Sequence, residues 1–104
     1  MSKVVEDRQE VIYRIGRMKT QLFALGVKRL ALFGSFVRGD QHAESDVDLL
    51  VEFAPGRKSY DSFFAVGELL ESALQRPVEL LTPESLSPHI GPHILREATD
   101  VLAD

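Results

Sequence analysis

The sequence predicts a mixed α+β fold in which helices flank a small mixed β-sheet. Residues 4–25 and 61–74 carry apolar residues at steps of three and four, the period of an amphipathic helix. Three short apolar runs, VKRLALF, DVDLLVEF and PVELL, are typical of strands. With a helical turn after the first strand and a helix at the end, the predicted order is α-β-α-β-α-β-α, in a single domain over residues 1–104.

The first half of the chain gives each of its elements a recognisable end. The first predicted helix ends at Gly26, a residue type that commonly closes helices. The strand VKRLALF follows directly, and the Gly-Ser pair after it opens a short helical turn. The second strand, DVDLLVEF, stops where Pro55 begins a Pro-Gly loop.

The second half is predicted from the same kinds of signal. The helix over residues 61–74 leads into the strand PVELL, which Thr82 and Pro83 bring to an end. The last stretch, from Ile94 to Leu102, is predicted to be helical. Pro92 argues against one continuous helix through the whole C-terminal region.

Composition limits the classes of protein that this chain can be. Apolar residues make up 44% of the sequence, enough for a core, and the absence of cysteine excludes disulfides and Cys-based zinc sites. No apolar run approaches a membrane span, and the N-terminus lacks the apolar region of a secretion signal. A cytoplasmic location is therefore expected. The net charge of −4 argues against a general nucleic-acid binder.

The charge is unevenly distributed along the chain. Residues 1–29 hold seven Lys and Arg against three Asp and Glu, whereas the remaining residues hold five against thirteen. This asymmetry fits an acidic site that holds metal cations, or an acidic surface that meets a basic partner. A solvated charge distribution without a specific role is the third interpretation.

Two aspartates stand at the start of the second predicted strand. Because side chains alternate along a strand, Asp46 and Asp48 share a face about 6.5–7 Å apart, while Val47, Leu49 and Val51 face the core. Two unpaired carboxylates this close repel each other. Either a basic side chain neutralises them or a hard divalent cation such as Mg²⁺ or Mn²⁺ does so, and a D-x-D pair alone does not decide between the two.

The Gly34-Ser35 pair supplies a second candidate feature. A strand that ends in Gly-Ser before a helical turn presents backbone N–H groups and a hydroxyl that can bind phosphate. The structural alternative is a serine helix cap, worth about 1 kcal/mol. If the two strands are antiparallel neighbours, the chain returns beside Ser35, and a triphosphate there would lie next to metals on Asp46 and Asp48.

Three other motifs are discounted. The string GSFVRGDQ matches the first half of a P-loop, but Asp40 and Gln41 stand where Lys and Ser or Thr are required. The tripeptide RGD, without a secretion signal, is interpreted as a coincidence. His89 and His93 have the spacing of metal ligands on a helix, but the Gly-Pro pair between them disfavours a regular helix.

The pattern Gly34-Ser35, ten residues, then Asp46-Val47-Asp48 resembles the signature of the polymerase-beta-type nucleotidyltransferase superfamily. The fuller string GSFVRGDQHAESDVDLLV is similar to the minimal nucleotidyltransferases, prokaryotic single-domain members of about this length. The resemblance covers nearly the whole chain. It implies a polymerase-beta-like nucleotidyltransferase palm.

The resemblance also implies which residues carry the chemistry. Asp46 and Asp48 would bind two Mg²⁺ ions, with Mn²⁺ as a possible substitute, and a third carboxylate would come from Glu79 in PVELL. Aspartate is commoner at that place, and the extra methylene could shift the metal geometry by about 1 Å, enough to matter for rate. The alternative for Glu79 is a solvated strand residue.

The nucleotide-binding residues follow from the same resemblance. Gly34 and Ser35 would hold the triphosphate, and Arg38, one helical turn later, could reach a phosphate or instead be a solvated helix residue. Arg57 and Lys58 in the loop after the second strand are weaker candidates. The donor nucleotide is expected to be ATP.

The implied activity is transfer of a nucleoside monophosphate from an NTP to a hydroxyl, with release of pyrophosphate. In the minimal family the usual partner is a helical HEPN protein, often a toxin, and the nucleotidyltransferase resembles an antitoxin that adenylylates a tyrosine on it. Self-association could also complete the site. The alternatives are a non-catalytic nucleotide-binding or toxin-masking module, and an enzyme that acts on a small molecule or on RNA ends. No basic, aromatic-rich track supports the RNA version.

Overall fold

The computed structural model describes residues 4–102, which form a four-stranded sheet with helices packed on it. The helices are α1 (Arg8–Gly16), α2 (Lys19–Ala24), α3 (Ser35–Arg38), α4 (Tyr60–Leu74) and α5 (Gly91–Glu97). The strands are β1 (Val27–Phe33), β2 (Val47–Phe53), β3 (Val78–Leu81) and β4 (Thr99–Asp100), and a 3₁₀ turn covers Pro83–Ser85. The strand order is β3-β2-β1-β4; β2 and β3 are parallel, and the other pairs are antiparallel. The predicted mixed α+β class is confirmed.

The main core lies between the sheet and the helices α1 and α4. Val47, Leu49 and Val51 of β2 have no exposed surface, as the alternation predicted. They belong to one cluster with Ile15 of α1 and Leu70 of α4. Both helices therefore bury their apolar stripes on the same face of the sheet.

The opposite face of the sheet carries a smaller apolar cluster. Ala31, Phe33 and Leu50 pack there with Ile94 of α5. Because α5 has only seven residues, it covers this face at one end alone. That end is also the one at which β1 leads into α3 and β2 begins.

The N-terminal helix differs from the prediction, because two helices replace one helix over residues 4–25. The N–H of Met18 bonds to the carbonyl of Ile15, which tightens the chain into a turn between α1 and α2. Met18 is nevertheless buried, so the apolar stripe continues through the turn and the periodicity does not reveal it. Gly26 ends α2 with a φ of 93°, in the position predicted for it.

The prediction of a C-terminal helix from Ile94 to Leu102 is correct only as far as Glu97 and wrong beyond it. The helix α5 ends at Glu97, and the next residues form β4, with Thr99 opposite Leu32 of β1. Pairing with β1 satisfies backbone groups at the sheet edge, and Val101 and Leu102 are buried behind it. If the helix continued through these residues, they could not pair with β1, and the burial of Val101 and Leu102 seen here would be lost. The predicted order therefore lacks one edge strand. Among the described helices, none is long and apolar enough to cross a membrane.

Candidate active site

The three acids predicted to act together lie at or near the starts of the neighbouring strands β2 and β3. In the sheet register, Asp48 of β2 is opposite Phe33 of β1 on one side and Glu79 of β3 on the other. Asp48 and Glu79 are close enough to share a proton when one of them is neutral, and Asp46, exposed just before β2, is close enough to act on Asp48 electrostatically. The parallel pairing of β2 with β3 is what places Glu79 beside Asp48.

The electrostatics of Asp48 show how crowded this end of the sheet is. Burial, the negative charge of Glu79, the hydrogen bond with Glu79 and the charge of Asp46 together raise the pKa of Asp48 to about 6. Among the residues that the structure describes, Arg38 is the cation that lowers this pKa, and it does not compensate. The acidic group formed by Asp46, Asp48 and Glu79 therefore carries more negative charge than the surrounding protein neutralises.

The donor set of this acidic group is suited to a hard divalent cation, because its ligands are carboxylate oxygens and a dication would relieve their repulsion. Within residues 4–102, however, no three acidic or histidine side chains converge closely enough to hold a metal by themselves. Mg²⁺ in phosphoryl-transfer sites commonly uses one or two carboxylates together with substrate phosphates. The neighbouring pair Asp48 and Glu79 meets that more modest requirement.

Gly34 brings the two halves of the motif into contact. It has a φ of 81° and lies directly against the side chain of Asp48. A Cβ at this position would overlap Oδ2 of Asp48 and lie 3.0 Å from its Cγ, so only glycine allows this approach. The expectation that the chain returns beside the Gly-Ser pair is confirmed. Gly34, not Ser35, is the cap residue of α3, so the serine-cap alternative is wrong.

Glu97 is a residue of this site that the sequence analysis missed. Its Oε2 accepts a hydrogen bond from the N–H of Gly34 at 2.8 Å, and its Oε1 accepts one from Nη1 of Arg38 at 2.9 Å. The Nε of Arg38 also donates to Asp40 at 3.3 Å. The backbone donor predicted to bind phosphate is thus engaged by a carboxylate from the end of α5.

The charge state of Glu97 follows from these partners. Burial by itself would raise the pKa of Glu97, but the hydrogen bonds from Gly34 and Arg38 outweigh it and hold that pKa below its usual range. The pKa of Arg38 is raised in turn, chiefly by its hydrogen bonds with Glu97 and Asp40. Gly34, Arg38 and Glu97, called here the Arg38–Glu97 cradle, form a charge-paired unit next to the acidic group.

Arg76 supports the loop that leads to Asp46. It is buried, its Nε donates to the carbonyl of Val5 at 2.6 Å, and its Nη1 donates to three carbonyls of the loop 42–45, that of Ser45 at 3.0 Å. Its guanidinium carbon lies 5.1 Å from the ring centre of Phe36 in α3. The side chain of Arg76 therefore links Phe36, which follows Ser35, to Ser45, which precedes Asp46.

The weaker candidates in the loop after β2 do not join the site. Arg57 donates to the carbonyl of Ala24 at 2.8 Å, and Lys58 lies 3.6 Å from Glu84. Both follow the far end of β2, at Phe53, whereas the acidic group lies at its beginning. The structure therefore gives these two residues local contacts and no part in the candidate site.

Comparison with known proteins supports the geometry. The family model described as the nucleotidyltransferase domain matches residues 15–101. A Methanocaldococcus jannaschii protein with the provisional name protein adenylyltransferase is 44% identical over 77 residues, 74% of this chain and 82% of its own length. The protein adenylyltransferase MntA of Thermococcus cleftensis is 40% identical over 76 residues, 73% of this chain and 76% of its own.

Solved structures agree with the sequence relatives. One, provisionally described as a minimal nucleotidyltransferase, superimposes with a TM-score of 0.68 at 28% identity, over 85% of this chain and 93% of that one. A Shewanella oneidensis complex of an MNT antitoxin with a tri-AMPylated HEPN toxin shares the fold, with a TM-score of 0.54 at 18% identity over 83% and 70% of the two chains. With the Gly-Ser and Asp-x-Asp halves of the motif in contact at one end of the sheet, this chain belongs to the nucleotidyltransferase domain family.

Proposed function

We propose that this chain transfers AMP from ATP to a hydroxyl group, with a tyrosine of a helical HEPN protein as the acceptor. On this proposal the chain is the antitoxin of a toxin–antitoxin pair. The observation that carries it is the contact of Gly34 with Asp48, which lies opposite Glu79 in the sheet, so that the Gly-Ser turn meets two carboxylates at one end of the sheet. The adenylyltransferase names of its sequence relatives support the nucleotide and the protein acceptor. The AMPylated toxin of the structural neighbour supports the HEPN partner.

The proposed roles of the acids follow from their excess charge. Asp46, Asp48 and Glu79 would hold Mg²⁺, or Mn²⁺ in its place, together with phosphate oxygens of the nucleotide. Two such ions are expected, as in other sites that transfer phosphoryl groups. When bound, the metal supplies positive charge at the reacting phosphate and lowers the pKa of the attacking hydroxyl. Unlike its neighbours, Glu79 is also proposed to accept a proton.

The nucleotide would be bound on the side of Asp48 that faces Gly34, away from Glu79. The hydroxyl of Ser35 and the guanidinium of Arg38 are proposed to bind the triphosphate. The N–H of Gly34 is already bound to Glu97. The proposed role of Gly34 is therefore steric: because it has no side chain, a phosphate can lie close to Asp48.

The proposed reaction is a single displacement. The acceptor oxygen attacks the α-phosphorus of ATP, the bond from that phosphorus to the bridging oxygen of the β-phosphate breaks, and pyrophosphate leaves with that oxygen. The hydroxyl proton passes to the carboxylate of Glu79. The product is an adenylylated side chain, so no oxidant, reductant or additional reactant is needed.

The test is labelling of a partner protein. The chain is incubated with Mg²⁺, ATP labelled at the α-phosphate and a cognate helical HEPN protein. We expect label on a tyrosine of that partner, and we expect the double variant Asp46→Ala, Asp48→Ala to lose labelling by at least about 10³-fold without unfolding. The matched control removes two exposed acids of α4, Asp61→Ala with Glu68→Ala, and should label as the wild type does.

A second candidate function is favoured by a specific observation. The N–H of Gly34 is occupied by Glu97, and within the described residues no three ligands converge on a metal position. Both facts would suit a module that binds and masks a partner without chemistry. A wild-type chain that labels nothing yet inhibits its partner at a one-to-one ratio would establish this function and exclude transfer.

A further inference from the structure

We infer that Glu97 is a positioning residue for the nucleotide, which acts by holding the guanidinium of Arg38 in place for the triphosphate. The inference rests on the proposed function, because it takes Arg38 to be a phosphate ligand. It starts from the arrangement of one carboxylate between two partners. One oxygen of Glu97 is bound to the backbone of Gly34 and the other to the side chain of Arg38.

This arrangement fixes a side chain that would otherwise move. Arg38 is half exposed, with 52% of its side-chain surface accessible, and a long side chain of this kind has many rotamers in water. Glu97 ties it to a backbone atom at the end of β1, with both hydrogen bonds shorter than 3.0 Å. An arginine held in advance loses less conformational entropy when a phosphate binds.

Glu97 is a better anchor than the other acid that contacts Arg38. The side chain of Glu97 is 24% exposed and its contact is 2.9 Å, whereas Asp40 is 62% exposed and its contact is 3.3 Å. Exposed ion pairs contribute little because water and salt screen them. The position of Arg38 therefore depends mainly on Glu97.

The fold holds Glu97 itself in place from both sides. It is the last residue of α5, where the N–H of Ala98 bonds to the carbonyl of Ile94 at 2.9 Å. The strand β4 begins two residues later and pairs with β1, and the N–H of Val101 bonds to the carbonyl of Leu30 at 2.9 Å. The backbone on both sides of Glu97 is therefore held by hydrogen bonds, which fixes the position from which its side chain extends.

Arg38 can bind a phosphate without losing Glu97. The two carboxylate contacts use Nε and one terminal nitrogen of the guanidinium. Among the groups that the structure describes, neither contact uses the second terminal nitrogen, which carries two further N–H donors. A phosphate oxygen can bind there while Glu97 remains on its partners, as a positioning role requires.

The test measures binding of Mg²⁺–ATP to the full chain by calorimetry. Glu97→Gln keeps the size of the side chain but removes its charge and leaves one of its two acceptor oxygens. We expect its Kd for ATP to rise by about tenfold. Arg38→Gln should weaken binding at least as much. In the double variant the Glu97 change should add nothing, because a residue that acts through Arg38 has no effect once Arg38 is gone.

The matched control is Asp100→Asn. It makes the same carboxylate-to-amide change on the same C-terminal segment, where Asp100 lies 3.2 Å from Arg29 on the exposed sheet surface. Its Kd for ATP should equal that of the wild type. Thermal unfolding of all variants shows whether any change in binding reflects loss of the folded state.

Four outcomes would overturn the inference in different ways. Tighter ATP binding by Glu97→Gln would show that Glu97 competes with the nucleotide. An undiminished effect of Glu97→Gln in the Arg38→Gln background would show a general structural role. A wild-type chain that binds no Mg²⁺–ATP at all would overturn the proposed function as well, whereas normal wild-type binding with an unaltered Glu97→Gln would overturn this inference alone.

Discussion

The acidic group and the Arg38–Glu97 cradle lie side by side at the same end of the sheet, yet their carboxylates behave oppositely. Asp48 and Glu97 are both partly buried, and burial raises the pKa of each. For Asp48 the neighbours are further acids, and its pKa rises to about 6. For Glu97 the neighbours are a backbone N–H and a guanidinium, and its pKa falls below the usual range.

The contrast indicates where this protein needs something from outside. The cradle is electrostatically complete, since each oxygen of Glu97 has a donor. The acidic group is incomplete, because within residues 4–102 Arg38 is the cation that offsets the charge around Asp48, and the pKa of Asp48 stays raised. Uncompensated charge is costly to stability, so its presence at a strand end is typical of a site that is completed by a ligand.

The largest expected effect on stability comes from replacing Arg76, which holds the loop that leads to Asp46. Arg76→Met should lower the free energy of unfolding by about 3 kcal/mol, because it leaves the carbonyls of Val5 and of the loop 42–45 without their buried donor. Urea unfolding monitored by circular dichroism measures the change. As a control, Arg29→Met breaks exposed ion pairs and should change stability by less than about 0.5 kcal/mol. Equal effects of the two variants would contradict the role given to Arg76.

A smaller effect is expected when the acidic group loses one charge. Glu79→Gln should reduce transfer of AMP by about 100-fold, because the amide can neither accept the proton nor hold a cation well. Single-turnover labelling measures this step apart from binding. We expect the Kd for Mg²⁺–ATP to change less than the rate does, because Ser35 and Arg38 still bind the triphosphate while the bound cation loses one of its proposed ligands. An unaltered rate would make Glu79 a solvated strand residue.

The smallest expected effects are pH-dependent changes in the free energy of unfolding, and they have opposite signs for Asp48 and Glu97. These stabilities are measured in metal-free buffer that contains a chelator. The raised pKa of Asp48 means that the folded chain binds more protons than the unfolded chain between the usual aspartate pKa of 3.8 and about 6. This contribution to the free energy of unfolding therefore falls as the pH rises through that window. Asp48→Asn removes it and should stabilise the protein at pH 7 by about 1 kcal/mol, after discounting for solvent screening.

Glu97 should show the reverse behaviour. Its lowered pKa contributes stability that is present above the usual glutamate value and is lost as the pH falls through the lowered one. Glu97→Gln should therefore destabilise the protein at pH 7, and the difference from wild type should shrink in acid. Urea midpoints at a series of pH values test both variants together. If both changes shifted stability in the same direction at pH 7, the electrostatic contrast between the two sides would be wrong.

The sequence predicted the elements that have strong periodicity or clear boundaries. The alternation of Val47, Leu49 and Val51 identified β2, and the helical spacing over residues 61–74 identified α4 to within one residue at its start. The return of the chain beside the Gly-Ser pair followed from motif spacing and the assumption of antiparallel strands. These features depend on residues close together in the chain, so local patterns were sufficient.

The features that the sequence missed depend on distant partners. The two-residue strand β4 exists because β1 is there to pair with it, and a stretch this short has no pattern of its own. Glu97 is 63 residues from Gly34, and nothing near it distinguishes it from a solvated acid at a helix end. The turn at Met18 was hidden because the buried stripe of the first helix continues through it.

The long separation of these partners has a consequence for when the site comes into being. Arg76 joins residues 31 to 71 positions earlier in the chain, and Glu97 reaches back 63 positions to Gly34. Closing such loops costs chain entropy that only late, cooperative packing can offset. During synthesis the Gly-Ser and Asp-x-Asp segments emerge long before the side chains that hold them. A ribosome-bound chain that stops short of residue 97 would carry the whole signature and still lack the Arg38–Glu97 cradle.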